Sequence, residues 1–369
     1  MQSKKQNTRD LRKLPRWSLL LYAIALLALL LYVLTAIIEP FADWYNRTVG
    51  AALRALLAHL TSFLPFSLAE ILLYCMPLLV VGLSVLAYRR YCESWRTVLV
   101  YLGSIVSVFS LLFSLFAFGF GAGYQTQSLE RRLDLPAAEV SAVSLRTTAD
   151  RLVEELNALA PHISYNGSGF SDMPYDLDGL NDALNAAYDP LCDQYPFIQR
   201  LNSRVKPVLA SKLMSYTHIT GVYSYYTGEA NVNVHFPDYT LPFTAAHELA
   251  HQRGIARENE ANFIAFLVCV GSQDSYVRYS GYLNLLEYIC NALYRADVQA
   301  YREVLQALDE RVLGELRAYS DFFDAFRDSP AADVSDAVND TYLKLNGNEA
   351  GTASYGLVVE LAVAYYAVH

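Results

Sequence analysis

Three long apolar runs dominate the first third of the chain. They cover residues 17–38, 66–88 and 97–121, and charged side chains are almost absent from their interiors. Each run is long enough for a helix that crosses the roughly 30 Å hydrocarbon core of a bilayer. The first run is also longer than the apolar core of a secretory signal, so it predicts a retained span.

From about Tyr124 onward the pattern is typical of a folded domain. Residues 219–234 contain two short β-rich runs around Thr-Gly and predict a β-hairpin. Residues 164–190 are rich in Gly, Asn, Asp and Tyr and predict a turn-rich insertion. Periodic apolar positions predict helices over 145–159, 190–215 (interrupted at Pro207), 243 to about 326, 333–345 and 355–368. The last of these is too short to span a bilayer and predicts a buried core helix.

Basic residues give the expected orientation. The segment before the first run carries six Lys or Arg, and the loop between the second and third runs carries Arg89, Arg90 and Arg96. Both are expected in the cytoplasm. The sequence therefore predicts a basic cytoplasmic tail at 1–16, a membrane domain with three spans at 17–123, and an extracytoplasmic domain at 124–369.

The first external loop contains an amphipathic stretch over residues 44–63. It predicts either a helix that lies in the membrane interface or an ordinary extracellular loop helix, and the sequence favours neither.

Charge and cysteine content exclude some functions. The chain after Gly123 carries 17 basic and 32 acidic residues, so nucleic acid is not an expected partner. The five cysteines form no CxxC pattern and predict neither a disulfide framework nor a metal site. One disulfide among Cys192, Cys269 and Cys290 is left open.

The informative chemistry begins at His247-Glu248-Leu249-Ala250-His251, an HExxH pattern in a helical region. Residues four apart lie on one face of a helix, so both imidazoles can reach one Zn²⁺ ion. Glu248 lies near the same face and is the expected general base that takes a proton from the attacking water.

A catalytic zinc needs a third protein ligand. Gly254 is expected to end the first helix in a left-handed conformation, so that a second helix starts near Arg257. Glu258 would then lie in the first turn, close to the metal, with Glu260 as the alternative ligand. Asn262 is one turn further on the same face as Glu258 and could hydrogen-bond a ligand.

The stretch 247–263 resembles the zincin metallopeptidases whose third ligand is glutamate. Its Glu-x-x-Ala-Asn form is similar to that of the ImmA/IrrE-type proteases, and to the Glu-x-x-Ala-Asp of membrane proteases that process prenylated proteins. Asn262 in place of Asp, and the much shorter gap between His251 and Glu258, count against that last substrate class.

More closely, nearly the whole chain resembles an uncharacterised bacterial membrane family, the domain-of-unknown-function family 3810. The resemblance rests on the three spans, the metal motif and four further segments: Gly221-Val222-Tyr223 with Gly228-Glu229-Ala230-Asn231, Arg278-Tyr279-Ser280-Gly281-Tyr282, Tyr342-Leu343-Lys344 and Ser354-Tyr355-Gly356.

The resemblance implies a mainly α membrane protein whose three transmembrane helices precede a zincin-like α+β domain, with a small β-sheet before the metal-binding helix. It implies Zn²⁺ on His247, His251 and Glu258, and amide hydrolysis with Glu248 as base. The expected partners are the lipid bilayer and a peptide or protein substrate, membrane-associated or not.

Other residues carry weaker hypotheses. The 223–234 region could pair with substrate backbone by strand addition, or be a plain structural hairpin. His235 could line the cleft, although a lone histidine after a strand is more often a surface or capping residue. Arg278, Tyr279 and Tyr282 could stabilise the oxyanion of a tetrahedral intermediate, or the tyrosines could simply pack.

Two other functions remain open from the sequence. One is a membrane sensor that holds zinc without turnover, and the other is a structural membrane protein with a relic HExxH motif. An open coordination position beside Glu248 distinguishes the hydrolase, because a structural zinc site is closed by a fourth protein ligand.

Overall fold

The computed structural model describes residues 13–92, 94–345 and 357–369. In chain order the first helices are α1 (Arg16–Ile37), α2 (Glu39–Tyr45), α3 (Ala51–Ser62), α4 (Leu68–Leu86) and α5 (Trp95–Gly119). A π-helical turn, Asn46–Gly50, joins α2 to α3, and another, Ala87–Tyr91, extends α4. Helices α1, α4 and α5 are long and apolar enough to cross a membrane, as the sequence predicts.

The three apolar helices leave most of their side chains outside the protein core. At most 11% of the most apolar window of each helix is buried. Helix α1 packs along α5, and the Tyr22 hydroxyl donates a hydrogen bond to the carbonyl oxygen of Gly103 at 2.6 Å. Apolar side chains that face outward on such long helices are the pattern expected of segments surrounded by lipid.

The rest of the described chain forms a mainly helical body with a three-stranded sheet. Its elements are α6 (Leu129–Arg132), α7 (Ala142–Leu159), α8 (Leu177–Gln194), β1 (Val205–Pro207), α9 (Ser211–Met214), β2 (Gly221–Ser224), β3 (Glu229–Val232), α10 (Thr240–Gln252), α11 (Glu258–Val270), α12 (Ser275–Ala296), α13 (Val298–Ala307), α14 (Glu310–Asp324), α15 (Pro330–Leu345) and α16 (Val358–Tyr366). Short 3₁₀ turns occupy Gly121–Gln125, Ala160–His162 and Ser215–Thr217.

The sheet contains the predicted hairpin. Strands β2 and β3 pair antiparallel, with Tyr223 opposite Ala230, and Gly228 supplies the positive φ (72°) of the turn. Strand β1 pairs parallel to β3, so the order is β1-β3-β2 and β2 is an edge strand. All four residues of β3 are buried, and helix α10 packs on this strand. The sheet therefore supports the helix that carries the two histidines.

Helices α10, α11 and α12 form the centre of the core, with α7 packed on α12. Helix α11 is buried on nearly every side, and Phe263, Ile264 and Phe266 have no exposed surface. Helix α16 packs on α11 and is buried over most of its length, which confirms the prediction of a core helix near the C-terminus. Residues 346–356, and with them the segment 354–356 of the family resemblance, lie outside the described residues.

Two predictions between residues 164 and 215 are wrong. Just over half of the expected turn-rich insertion is helix α8, which begins at Leu177 after the N-cap Asp176 and contains Pro190 near its end. The expected helix over 190–215 is instead an irregular segment, strand β1 and two short helical turns. Pro207 is compatible with β1 because that strand is at the edge of the sheet and the proline is its last residue.

All five cysteines are free, so no disulfide joins Cys192, Cys269 or Cys290.

Candidate metal centre

Two consecutive helices carry the potential ligands. His247 and His251 lie one turn apart in α10, and their rings are 4.5 Å apart. The chain then turns at Gly254, whose φ is 97°, and α11 begins at Glu258. This is the helix–turn–helix arrangement that the sequence predicts, and the left-handed glycine permits the sharp reversal.

The turn brings three donor groups together. Oε2 of Glu258 is 3.2 Å from Nε2 of His247, and Oε1 of Glu258 is 3.6 Å from Nε2 of His251. One donor atom from each residue lies within 4.8 Å of the others. Glu260, the alternative ligand, points away. Its Oε1 accepts hydrogen bonds from the Leu129 amide and from Arg257, so it is engaged on the other side of α11.

The donor set fits a zinc ion. Two imidazole nitrogens and a carboxylate oxygen are ordinary zinc ligands, and three protein ligands are typical of a catalytic site. Nδ1 of His251 is 2.7 Å from the carbonyl oxygen of Ile255. In the tautomer that donates this hydrogen bond, the Nε2 lone pair faces Glu258 and is free for a metal. Among the described residues no fourth His, Cys, Asp or Glu joins the group.

The three groups interact strongly by charge. Burial alone would raise the pKa of the Glu258 carboxyl, but His251 and His247 outweigh burial and hold it well below its usual range. Burial alone would lower the pKa of His251, but Glu258 outweighs burial and raises it to about 9. A buried carboxylate thus provides a strong attraction for positive charge at the point where the two imidazoles meet.

Glu248 lies beside this group and is not part of it. It is only 5% exposed, its Oε2 atom has no hydrogen-bond partner, and its carboxylate accepts a hydrogen bond from the Tyr223 backbone N–H. Burial raises the pKa of Glu248 to about 7, although His247 and His251 oppose that shift. A carboxylate with a pKa near neutrality can both accept and return a proton.

All these groups face one cavity of about 950 Å³. Strand β2 forms one wall and α12 another, while α15 lies along the third side. The 3₁₀ turn after α5 adds Tyr124, and Phe120 at the end of α5 completes the lining next to His251. The Phe120 and His251 rings are 5.9 Å apart. The end of α5, one of the three apolar helices, therefore lies directly beside a potential ligand.

The wall formed by α12 is polar. Asn284, Glu287, Tyr288 and Asn291 follow one another at helical spacing and all line the cavity. The Tyr239 hydroxyl donates a hydrogen bond to Oε1 of Glu287 at 2.8 Å, and burial raises the pKa of Glu287 to about 7. In the part of the chain that the structure describes, no basic side chain forms an ion pair with Glu287.

The structure places the three proposed oxyanion stabilisers elsewhere. Arg278 pairs with Glu155 at 3.1 Å and stacks over Tyr282, and the Tyr279 hydroxyl bonds the buried Glu315. None of the three lines the cavity. They lie on the faces of α12 that pack on other helices, away from the potential ligands.

Two other predicted residues differ in part from expectation. Asn262 does line the cavity, but its amide faces the Tyr288 hydroxyl and forms no hydrogen bond with a potential ligand. His235 lies outside the cavity, against Phe322 and the Ser215 hydroxyl.

Sequence reasoning missed several residues of the site. Tyr342 in α15 lines the cavity, and its hydroxyl is 3.3 Å from that of Tyr124. Burial and then Tyr124 raise the pKa of Tyr342 well above its usual range, so it remains a hydrogen-bond donor. The available signal for Tyr342 was its place in the resemblance segment Tyr342-Leu343-Lys344. For the wall of α12 it was the helical spacing of Asn284, Glu287 and Asn291.

Comparison with known families identifies the chain only at the level of a family. The family described as protein of unknown function (DUF3810) matches residues 45–363. The chain belongs to this family. The match includes both helices of the potential ligands, α10 and α11, and most of the wall of the cavity, in agreement with the resemblance noted from the sequence. No curated protein and no solved structure matches the chain.

Proposed function

We propose that this protein is a membrane-anchored zinc metallopeptidase whose body lies outside the cytoplasm. The observation that carries the proposal is the position of Glu248. Its buried carboxylate, with one oxygen lacking any partner, lies next to a three-residue donor set rather than within it. A purely structural zinc site has no use for a buried carboxylate in that position, whereas hydrolysis requires a base there.

His247, His251 and Glu258 would hold the zinc ion. When bound, zinc acts as a Lewis acid that polarises a carbonyl group and makes a water molecule more acidic. The position of the Glu258 carboxylate supports this assignment, because its two oxygens face the two imidazoles, at 3.2 Å from Nε2 of His247 and 3.6 Å from Nε2 of His251. Glu260 is occupied by Leu129 and Arg257, which leaves Glu258 as the carboxylate ligand.

The chain's own groups then carry the proton. Glu248 accepts a proton from the water that attacks the amide carbon, and it delivers the proton to the leaving nitrogen when the C–N bond breaks. The products are a carboxylic acid and an amine. Glu248 suits both steps by position, because its buried carboxylate lies beside the donor set and its Oε2 atom has no hydrogen-bond partner.

Two further elements would orient a peptide. Strand β2 is an edge strand that lines the cavity, and an extended substrate could add to its free edge. Tyr342, across the cavity, is the candidate donor to the developing oxyanion in place of Arg278, Tyr279 and Tyr282. The influence of Glu258 on the pKa of Tyr342 supports their closeness.

The expected side of the membrane follows from charge. Arg89, Arg90 and Arg96 flank the turn between α4 and α5, opposite the body, and basic loops favour the cytoplasm. Reporter fusions after Gly123 should therefore be active outside the cytoplasm, and fusions at Cys92 inside. The reverse result would move the proposed reaction to the cytoplasm.

Glu248→Gln tests the enzyme directly, since it keeps the size of the side chain and removes the base. We expect the variant to fold and to keep its zinc, and to lose turnover by about two to four orders of magnitude. The readout is the set of cleaved proteins in membranes from cells with equal amounts of wild-type or variant protein. Identical products from both, at matched zinc content, would reject catalysis and favour a zinc-holding sensor.

A further inference from the structure

Helix α3 exposes large apolar side chains and buries polar ones. Leu56 and Leu60, and Phe63 directly after the helix, are 54%, 58% and 78% exposed, whereas Arg54 and Thr61 are 2% and 7% exposed. The buried face also contains Ala51 and Ala58, and His59 is exposed. A helix on a protein surface in water buries its apolar face and exposes its polar face. The reverse arrangement is stable where the outer face meets lipid instead of water.

The position of α3 in the chain agrees with a lipid-facing helix. It connects the end of α1 to the start of α4, so it lies where two membrane-length helices leave the bilayer. The exposed Leu209 and Leu213 extend the apolar surface, because Glu70 in the first turn of α4 accepts hydrogen bonds from the Leu209 and Ala210 amides at 2.8 and 2.9 Å. This part of the body is therefore fixed to the bilayer end of α4.

The buried face of α3 is bonded to the metal-bearing turn. The Arg54 guanidinium donates to the side chain and carbonyl of Asn46 at 2.9 and 2.8 Å, and to the carbonyl of Gly119 at the end of α5. Nδ2 of Asn46 in turn donates to the carbonyl of Gly254 at 2.9 Å. Gly254 joins the helix of His247 and His251 to the helix of Glu258.

Contacts on the other side of α3 fix it to the sheet. Nζ of Lys206 in β1 donates to the Thr61 carbonyl at 2.7 Å and pairs with Glu229 of β3 at 2.6 Å. Glu229 also accepts the backbone amides of Leu68 and Ala69 at the start of α4. The body and the apolar helices thus share a network of buried hydrogen bonds. This network leaves little freedom for the body to tilt relative to the apolar helices.

From this arrangement we propose that α3 lies in the bilayer surface and holds the metal centre about one helix diameter above the lipid, so that its substrates are polypeptides anchored in the same membrane. The proposal rests on the peptidase function proposed above. A helix with its side chains is about 10–12 Å thick. Because an extended chain advances about 3.3 Å per residue, about four residues cover this height and ten would reach about 33 Å, so the cleaved bonds should lie no more than roughly ten residues from the substrate's anchor.

The depth of α3 can be measured without any substrate. The full-length protein would be placed in liposomes with brominated lipids, which quench nearby tryptophan fluorescence. Leu60→Trp and Leu213→Trp should each add a quenchable signal above the background of the three native tryptophans. The matched control is Val143→Trp in α7, since Val143 is 77% exposed but lies on a helix that packs on α12 and α13.

Strong quenching at Leu60 and Leu213 with little at Val143 is the expected result. Absence of quenching at Leu60 would overturn the proposal and would indicate that another protein or a second copy covers α3. Equal quenching at all three positions would also overturn it, because the lipid would then not distinguish α3 from the rest of the surface.

The substrate class is tested by mapping the new N-termini that wild-type protein produces and Glu248→Gln does not. Bonds clustered within about ten residues of a membrane span or lipid anchor are expected. Bonds in soluble proteins, or far from any anchor, would reject this inference while leaving the peptidase intact. The absence of any difference between the two samples would instead reject the peptidase itself.

Discussion

Gly221 lies so close to Glu248 that a Cβ atom on Gly221 would be 2.5 Å from Oε1 of the carboxylate. The same atom would be 2.8 Å from the methyl group of Thr244. The first residue of β2 must therefore lack a side chain for the edge strand to approach the proposed base. The strand in turn fixes the carboxylate through the Tyr223 N–H.

Gly221→Ala should displace the Glu248 carboxylate without touching the three potential ligands. We expect turnover to fall by about two orders of magnitude, as for loss of a positioned base, while the zinc content stays at the wild-type level. The control is Gly314→Ala in α14, where an added Cβ meets no atom within 4 Å. Equal activity of the two variants would show that Glu248 does not act as the base in its observed position.

Metal content distinguishes the two carboxylates of α11. Purified protein should contain about one zinc ion per chain, and His247→Ala or His251→Ala should remove most of it. Glu258→Ala should weaken zinc binding much more than Glu260→Ala, because Glu260 is engaged by Leu129 and Arg257. Elemental analysis after dialysis against a mild chelator provides the measurement. A larger loss in Glu260→Ala would contradict the ligand assignment.

Tyr342→Phe tests the proposed oxyanion donor. Removing one such donor typically reduces kcat about 10²–10³-fold, so turnover should fall by this factor with KM and zinc content little changed. Tyr279→Phe is the control. Tyr279 is an oxyanion donor expected from the sequence, but its hydroxyl donates a hydrogen bond to Glu315 away from the cavity. If Tyr279→Phe reduced kcat in folded protein while Tyr342→Phe did not, the two roles would have to be exchanged.

The raised pKa of Glu287 predicts a pH-dependent stability. Its folded pKa of about 7 exceeds the ordinary value of 4.5, so the native state binds the proton more tightly than the unfolded state between these values. The free energy of unfolding should therefore fall as pH rises through this range. Glu287→Gln should gain stability relative to wild type over the same interval, measured by thermal unfolding in detergent. The control is Glu154→Gln, at an exposed position. If Glu287→Gln changed the pH dependence of unfolding no more than this control does, the effect would be contradicted.

Arg54→Met should destabilise the whole protein. The change leaves three buried acceptors, on Asn46 and Gly119, without their charged donor. The expected cost is roughly 3 kcal/mol or more, which corresponds to a decrease in Tm on the order of 5–10 °C. Arg317→Met, at an exposed position, should change the stability by no more than about 0.5 kcal/mol.

Local signals were enough to predict the apolar helices, the hairpin and the approach of His247, His251 and Glu258. Each depends on a short-range rule: helix length against bilayer thickness, the i,i+4 histidine spacing, and a glycine that ends the helix. Gly254 adopts the expected positive φ, and α11 begins next to the expected Arg257. Metal binding, the identity of the metal and the reaction stay predictions.

The errors arose where tertiary context decides. Helix α8 buries Leu180, Leu184 and Tyr188 at helical spacing, but the abundance of Gly, Asn, Asp and Tyr over 164–190 favoured an irregular or turn-rich segment when read alone. The positions of Arg278 and Tyr279 outside the cavity have a similar reason. Both lie on α12, but the face of this helix that meets the cavity is set by its packing on α7 and α11.

Arg54 and Gly254 are 200 positions apart in the chain, and an added Cβ at Gly254 would be 2.4 Å from a nitrogen of the Arg54 guanidinium. During synthesis Arg54 emerges long before its neighbours in the body exist. Its charge can therefore be enclosed only after the metal-bearing helices have been made and have returned to the first loop. A fragment that begins after α5 would lack this guanidinium and Asn46, so the carbonyl of Gly254 would lose its hydrogen-bond donor.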